Sequence, residues 1–256
     1  MSGGIYLDMF VNKQGETWYF GPGGDGSRVG RFASILAEGA YVATDYIWLY
    51  GEKHALIDWR SDLPQGVAGK DRRFDKVRAE GRYTWEKALP GYMNTIRVVT
   101  DPQGLASDAL AANSGNLIDW SAYGSWQHER KSHGTFFKDT ADKLSDGFSL
   151  VAKGVSQGCF IFDLPVKPGE LYAICGAVKG KGQISITWSS HGKLATDERN
   201  YAIRTGTPDG NGWAQGMMSV CVPSGTDKMV IHCGVSGQTQ EEEARFSGVR
   251  VVKISR

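Results

Sequence analysis

Apolar positions along this chain follow two rhythms, with a change near Thr100. Before it, short unbroken apolar runs alternate with segments of helical spacing; from about Asn116 onward, short alternating runs are separated by glycine-rich turns. The first rhythm belongs to strands buried on both faces between helices, the second to half-buried antiparallel strands. Ile5 to Val11 (IYLDMFV) and Tyr46 to Tyr50 (YIWLY) read as strands. Between them, Trp18 to Phe20 reads as a short extended stretch and GPGGDG (Gly21 to Gly26) as an irregular loop. Ser27 then caps a helix to about Ala43, on which Val29, Phe32, Ile35, Leu36, Gly39 and Ala40 share one face. Thr84 caps a further helix, which Pro90-Gly91 interrupts before Tyr92 to Val99.

In the second half, β-prone runs are expected at 124–129, 135–138, 147–152, 158–166, 171–179, 183–189, 214–222, 228–233 and 244–254. Turn signals such as Lys167-Pro168-Gly169 and Pro208-Asp209-Gly210 punctuate them. Ile184, Ile186 and Trp188 alternate with Ser185 and Thr187, so that tryptophan points inward. Val249 and Val251 followed by Val252 and Ile254 require the last strand to change face or carry a bulge. The fold class is therefore mixed: an incomplete, barrel-like α/β segment over residues 1–100, a linker over 101–115, and an all-β antiparallel sandwich over 116–256, with a jelly roll as the specific expectation. A complete (β/α)8 barrel takes eight strands and about 250 residues.

Charge narrows the function classes. With 29 Lys and Arg against 28 Asp and Glu, the net charge is +1, too small a field to hold nucleic acid or an anionic membrane. No run of about 18 apolar residues is available to span a bilayer, and Met1-Ser2-Gly3-Gly4 does not begin a signal peptide. Cys159, Cys175, Cys221 and Cys233 form no CxxC pair and sit in strand-like surroundings as small hydrophobes, with disulfides open to an exported parent. GPGGDG lacks the lysine of a phosphate-binding loop.

Two stretches carry a family resemblance. YIWLYGEKHALIDW, with TWEKALPGY after a variable loop, resembles the C-terminal end of the catalytic barrel in bacterial retaining (β/α)8 glycoside hydrolases. NLIDW, SDGFSLVAKG, GCFIFDLPVKPGELYAICGAVKG and FSGVRVVKI together resemble the jelly-roll carbohydrate-binding modules attached to polysaccharide-degrading enzymes. The resemblance implies an extracellular or periplasmic parent. It also implies that the barrel strands preceding Ile5, which would complete a carboxylate pair, are absent from this chain.

Glycoside hydrolysis uses two carboxyl groups. Glu52, after the second strand, is the candidate acid or nucleophile, with Asp8, Asp45 or Asp58 as its partner and Trp48, His54 and Trp59 as sugar contacts. Sugar recognition takes aromatic faces with polar neighbours. In the sandwich, Trp120, Tyr123, Trp126, His128 and Arg130 cluster near its start, while Tyr201 and Trp213 are expected in long loops; Trp126 and Trp213 lead this group. Asp139, Asp142, Asp146 and Glu170 are candidate oxygen ligands for a structural calcium, without EF-hand spacing, and no other cofactor is expected. A glycan is the expected partner, bound rather than cleaved, with self-association through the incomplete α/β segment. An active hydrolase and a non-binding structural or interaction domain are the alternatives.

Overall fold

The computed structural model describes residues 3–43, 46–51, 84–119, 123–129, 133–144, 147–194 and 201–255. Strand β1 (Gly3–Tyr6) is followed by a 3-10 turn (Leu7–Phe10), helix α1 (Arg28–Val42) and strand β2 (Ile47–Tyr50), which pairs with β1 in parallel. The strand expected over Ile5 to Val11 thus ends early. Asp8 lies in the turn rather than in a sheet, and its carbonyl accepts the N–H groups of Val11 (3.1 Å) and Asn12 (2.9 Å).

Helix α1 starts where its cap dictates: Ser27 Oγ accepts from the Gly30 N–H at 2.9 Å, and Asp25 in turn holds Ser27. Thr84 caps the single turn α2 (Trp85–Ala88). The chain then breaks at Pro90-Gly91, where Gly91 takes φ 92°, and resumes as α3 (Tyr92–Thr100). Residues read as a linker instead form α4 (Pro102–Ala112). Asp101 caps it through the Gly104 N–H, and Pro102 occupies the first turn, where a missing N–H costs nothing.

The remaining strands are β3 (Gly124–Gln127), β4 (Thr135–Asp139), β5 (Ser149–Lys153), β6 (Gln157–Pro165), β7 (Leu171–Gly180), β8 (Gly182–Ser190), β9 (Lys193–Leu194), β10 (Tyr201–Ala202), β11 (Trp213–Cys221), β12 (Lys228–Ser236) and β13 (Glu243–Lys253). They form two antiparallel sheets. One is ordered β10-β8-β12-β6-β3 with β9 beside β8, the other β11-β7-β13-β5-β4. Ile184, Ile186, Trp188, Phe160, Ile231, Leu150, Ile174, Phe246 and Val251 fill the space between them, so the chain contains a β-sandwich. The change of face expected between Val251 and Val252 does not occur: pairing there is regular, with Val249 and Val251 turned into the sandwich and Val252 and Ile254 buried under the helices, and a bulge lies upstream instead, between Ser247 and Arg250. Its one extra residue switches the inward set from Ala244 and Phe246 to Val249 and Val251.

The helices do not stand apart from the sandwich. Ala33 of α1, Val98 of α3, and Leu105 and Ala106 of α4 form one buried cluster with Leu171, Ala173, Cys221, Val252 and Ile254, which are outward-facing residues of β7, β11 and β13 and the residue just beyond β13. One outer face of the sandwich is thereby covered in part by helices. A separate cluster of Leu7, Phe10, Val29, Phe32, Leu36, Trp85 and Tyr92 closes the α/β part itself.

Candidate functional site

Among the described residues, the outer face of the six-stranded sheet carries no such helical cover: the helices pack on β7, β11 and β13. Antiparallel registry sets out its rows. Trp126 lies beside Cys159, Gly234 and Gln183; the next outward row is Gly124, Ile161, His232, Ser185 and Ala202; the next is Asp163, Val230 and Thr187. The intervening rows, such as Phe160, Cys233 and Ile184, face the core. This face therefore carries one large aromatic ring, small hydroxyls, an amide, an imidazole and the Asp163–Lys228 ion pair, with Cys159, Ile161 and Val230 between them.

Trp126 is 49% exposed, although it sits in a strand, because it belongs to an outward row of the face that the helices leave free. The His128 ring meets it edge-on at 6.4 Å between centroids. On the two strands beside it, the Cys159 thiol of β6 and His232 Nδ1 of β12 are 3.5 Å apart. Burial pushes the Cys159 thiol up to about 11 and lowers the His232 imidazole, so both are neutral near pH 7 and the thiol is no nucleophile. The Lys228–Asp163 pair, at 2.8 Å, balances its own charge. A depression of about 400 Å³ lies at the β7–β8 turn, lined by Lys181, Gln183, Ser185 and Ser236. A neutral surface with one stacking ring and several hydroxyl and amide groups suits a polyhydroxylated, uncharged ligand.

The structure separates the other sequence candidates from this face. Trp213 opens β11 rather than lying in a loop, and is only 3% exposed, with the Lys179 ammonium 5.9 Å from its ring. A ring buried in this way has no free face to offer a sugar. Tyr201 pairs in register with the inward residue Ile186 and meets Trp188 at 6.5 Å. Tyr123 packs its edge against Phe160 at 5.3 Å. Both tyrosines are packing residues at the rim of the core. Trp188 is buried, as its alternation requires. Trp120, Arg130, Glu52, His54, Trp59, Asp45 and Asp58 lie outside the described residues.

Trp48 is 61% exposed, but on β2 of the α/β part. Asp8 is fully buried and accepts a 2.8 Å hydrogen bond from the Tyr6 hydroxyl. A Cβ added at Gly51 would stand 3.1 Å from Asp8 Oδ1 and run into Trp85, so Asp8 backs onto the carboxyl end of β2.

Of the candidate calcium ligands, Asp139 and Asp142 come together, but on the Arg245 guanidinium, while Glu170 lies apart. Asp139 receives the Ala141 N–H and the Arg245 guanidinium, and Asp142 the Lys179 ammonium at 2.7 Å; these bonds hold both carboxyls below the usual range. Glu170 bonds Lys253, Tyr172 and the Lys167 N–H near the opposite end of β7. Asp146 lies outside the described residues. Among the described residues there is no group of three or more His, Cys, Asp or Glu side chains able to hold a metal. The four cysteines are free thiols, three of them buried and Cys175 partly so.

No protein-family model and no curated protein matches this chain. Solved structures share a partial likeness. The enzymatically active domain of tailspike protein 4 from bacteriophage CBA120 aligns over 52% of this chain and 19% of its own, at 19% identity and TM-score 0.39. The N-terminal endo-1,4-beta-D-xylanase 10B of Clostridium thermocellum, with its family 22 carbohydrate-binding and family 10 glycoside hydrolase modules and complexed with xylohexaose, aligns over 55% of this chain and 28% of its own, at 9% identity and TM-score 0.41. The C-terminal family 22 carbohydrate-binding module of that xylanase aligns over 53% of this chain and 88% of its own, at 10% identity and TM-score 0.38. This chain thus spans well under two thirds of the first two structures.

Proposed function

We propose that this chain binds a neutral polysaccharide on the outer face of the six-stranded sheet, with Trp126 stacking on a sugar ring. Gln183, Ser185, Thr187 and His232 meet the hydroxyls. The observation that carries the reading is the half-exposed indole of Trp126, in the same row as Gln183 and next to the row of His232 and Ser185 on the face that the helices leave free. A jelly-roll connection of the sheets, and descent of the α/β part from the end of a glycoside hydrolase barrel in an exported parent, belong to the same proposal. Both rest on the sequence resemblance, and the second also on the parallel β1–α1–β2 unit.

The test is electrophoresis through gels containing soluble xylan, β-1,4-galactan, β-glucan or alginate, with released reducing sugar measured in parallel. Trp126→Ala is expected to weaken retention at least about tenfold, the loss of a central aromatic contact, without changing the melting temperature, since its ring is outside the core. Retention unchanged in Trp126→Ala removes the sheet face as the site. Sugar release that disappears in Asp8→Asn replaces binding by hydrolysis.

The same proposal includes self-association through the α/β part. Tyr46, just before β2, and Trp48 and Tyr50 on it are 61%, 61% and 50% exposed, beside an apolar depression of about 270 Å³ lined by Leu36, Ile47, Leu49, Ile96 and Val99. An exposed apolar strand of this kind invites a second copy. Light scattering at rising concentration is expected to show a dimer that Trp48→Ser weakens; a monomer throughout ends this part of the proposal.

A further inference from the structure

Trp18 is the most exposed large hydrophobic residue among those described, at 66%, and its φ is +58°, in the left-handed region that tryptophan rarely adopts. The loop holding it is tightly built. Buried Asn12 donates its amide to the carbonyls of Thr17 (3.0 Å) and Trp18 (3.3 Å), and the Phe20 N–H donates to the Met9 carbonyl at 2.9 Å. Arg28 donates to the carbonyls of Phe20 (2.9 Å) and Met9 (2.7 Å) while lying 5.0 Å over the Tyr19 ring; Arg31 lies 4.7 Å over Phe20. The two neighbouring aromatic residues are thus covered by arginines, whereas Trp18 is turned to water.

A strained backbone persists only when its surroundings enforce it, and here a buried amide does so. The strain is not repaid by burial of the indole. The loop also joins the carboxyl end of β1 to α1, and β2 runs parallel to β1, so it lies at the end of a parallel sheet where ligands of α/β folds bind. Lys13, Gln14, Glu16 and Thr17 around it are all exposed and polar. A solitary indole in a hydrogen-bonding rim lacks the contiguous apolar core of a protein interface. It does match a single hexopyranose, whose C–H face stacks on the ring while its hydroxyls meet the rim.

We infer that Trp18 is a second carbohydrate-stacking site, on the α/β part and independent of the sheet face. The ligand class rests on the glycan-binding reading above; the position rests on the loop itself.

Trp18→Gly is the informative variant, because glycine adopts φ +58° without cost. In the same polysaccharide gels its retention is expected to fall about tenfold, with a melting temperature unchanged or raised by about 2–4 °C from relief of strain. Trp18→Tyr is expected to keep part of the retention. A melting temperature lowered by several degrees makes the indole a structural residue and overturns the proposal, whatever the gels show. A stable Trp18→Gly with full retention overturns it as a ligand site, and a solution mass that drops in that variant assigns Trp18 to contact between copies instead. Retention lost in Trp126→Ala but not in Trp18→Gly leaves the sheet face standing alone; the reverse leaves only Trp18; wild-type protein retained by none of the gels ends both.

Discussion

Replacing Phe160 with alanine is expected to cost about 3–5 kcal/mol of stability, the range for removing a buried aromatic ring. Phe160 is fully buried on β6, and its ring contacts come from both sheets: Tyr123 at 5.3 Å beside its own, and Phe136 of β4 at 4.9 Å and Phe246 of β13 at 6.4 Å across the core. Edge-to-face pairs of this kind contribute beyond their buried area. The ring therefore ties the two sheets together near the β3–β4 edge, where the strands are short. Urea denaturation followed by tryptophan fluorescence measures the effect as a lowered midpoint. A loss under about 1 kcal/mol, well below the usual range for such a cavity, shows that the edge repacks and that Phe160 is not the tie. Because β3 carries Trp126, the same variant is expected to weaken polysaccharide retention before it unfolds the protein.

Gly169→Ala is expected to cost about 2–4 kcal/mol, combining a left-handed alanine with an overpacked contact. Gly169 has φ 85°, donates its N–H to the Val222 carbonyl at 2.9 Å, and faces α1 so closely that an added Cβ would strike the Gly30 carbonyl. Pro168 beside it packs on Gly24 almost as tightly: a Cβ added at Gly24 would stand 3.0 Å from the proline ring. The turn between β6 and β7 is thus the seat of the helical layer. Thermal melting gives the size of the effect, and limited proteolysis gives its location, with the first cuts expected in residues 28–112. A variant that melts and cleaves like the parent shows that the helical layer is held by the α3 and α4 contacts alone.

Much of the sandwich was legible in the sequence. Each of the nine runs expected in the second half corresponds to an observed strand, with ends that differ by three residues at most, because half-buried strands must alternate and turns must carry glycine. The apparent parity change after Val251 misled, because the last strand is buried on both faces there, between the sandwich core and the helices, and its bulge lies earlier, at Ser247 to Arg250. Helix α1 followed from Ser27 and its apolar stripe. The strand at Ile5 was overextended because an apolar run does not distinguish a strand from a buried 3-10 turn; Leu7, Asp8 and Phe10 are buried either way. Helix α4 carried readable signals, an Asp-Pro start and apolar Leu105, Ala106, Ala109 and Leu110, but its weak polarity contrast gave it the look of a linker.

The site was less legible. Local surroundings suggested that Trp126 and Trp213 were equally exposed, yet, although both lie on edge strands, one is on the sheet face that the helices leave free and the other is under a lysine on the opposite sheet. Alternation alone put Ser185 and Thr187 on the side away from Trp188. That they share a face with Trp126 and His232 is set by the pairing of β8, β12, β6 and β3, strands far apart in the chain. Local periodicity thus wrote the elements, and the polar and apolar side of each, into the chain. Which sheet face is covered by helices and which is not is not local information: it follows from the packing of α1, α3 and α4 on β7, β11 and β13, where apolar residues distant in sequence find one another.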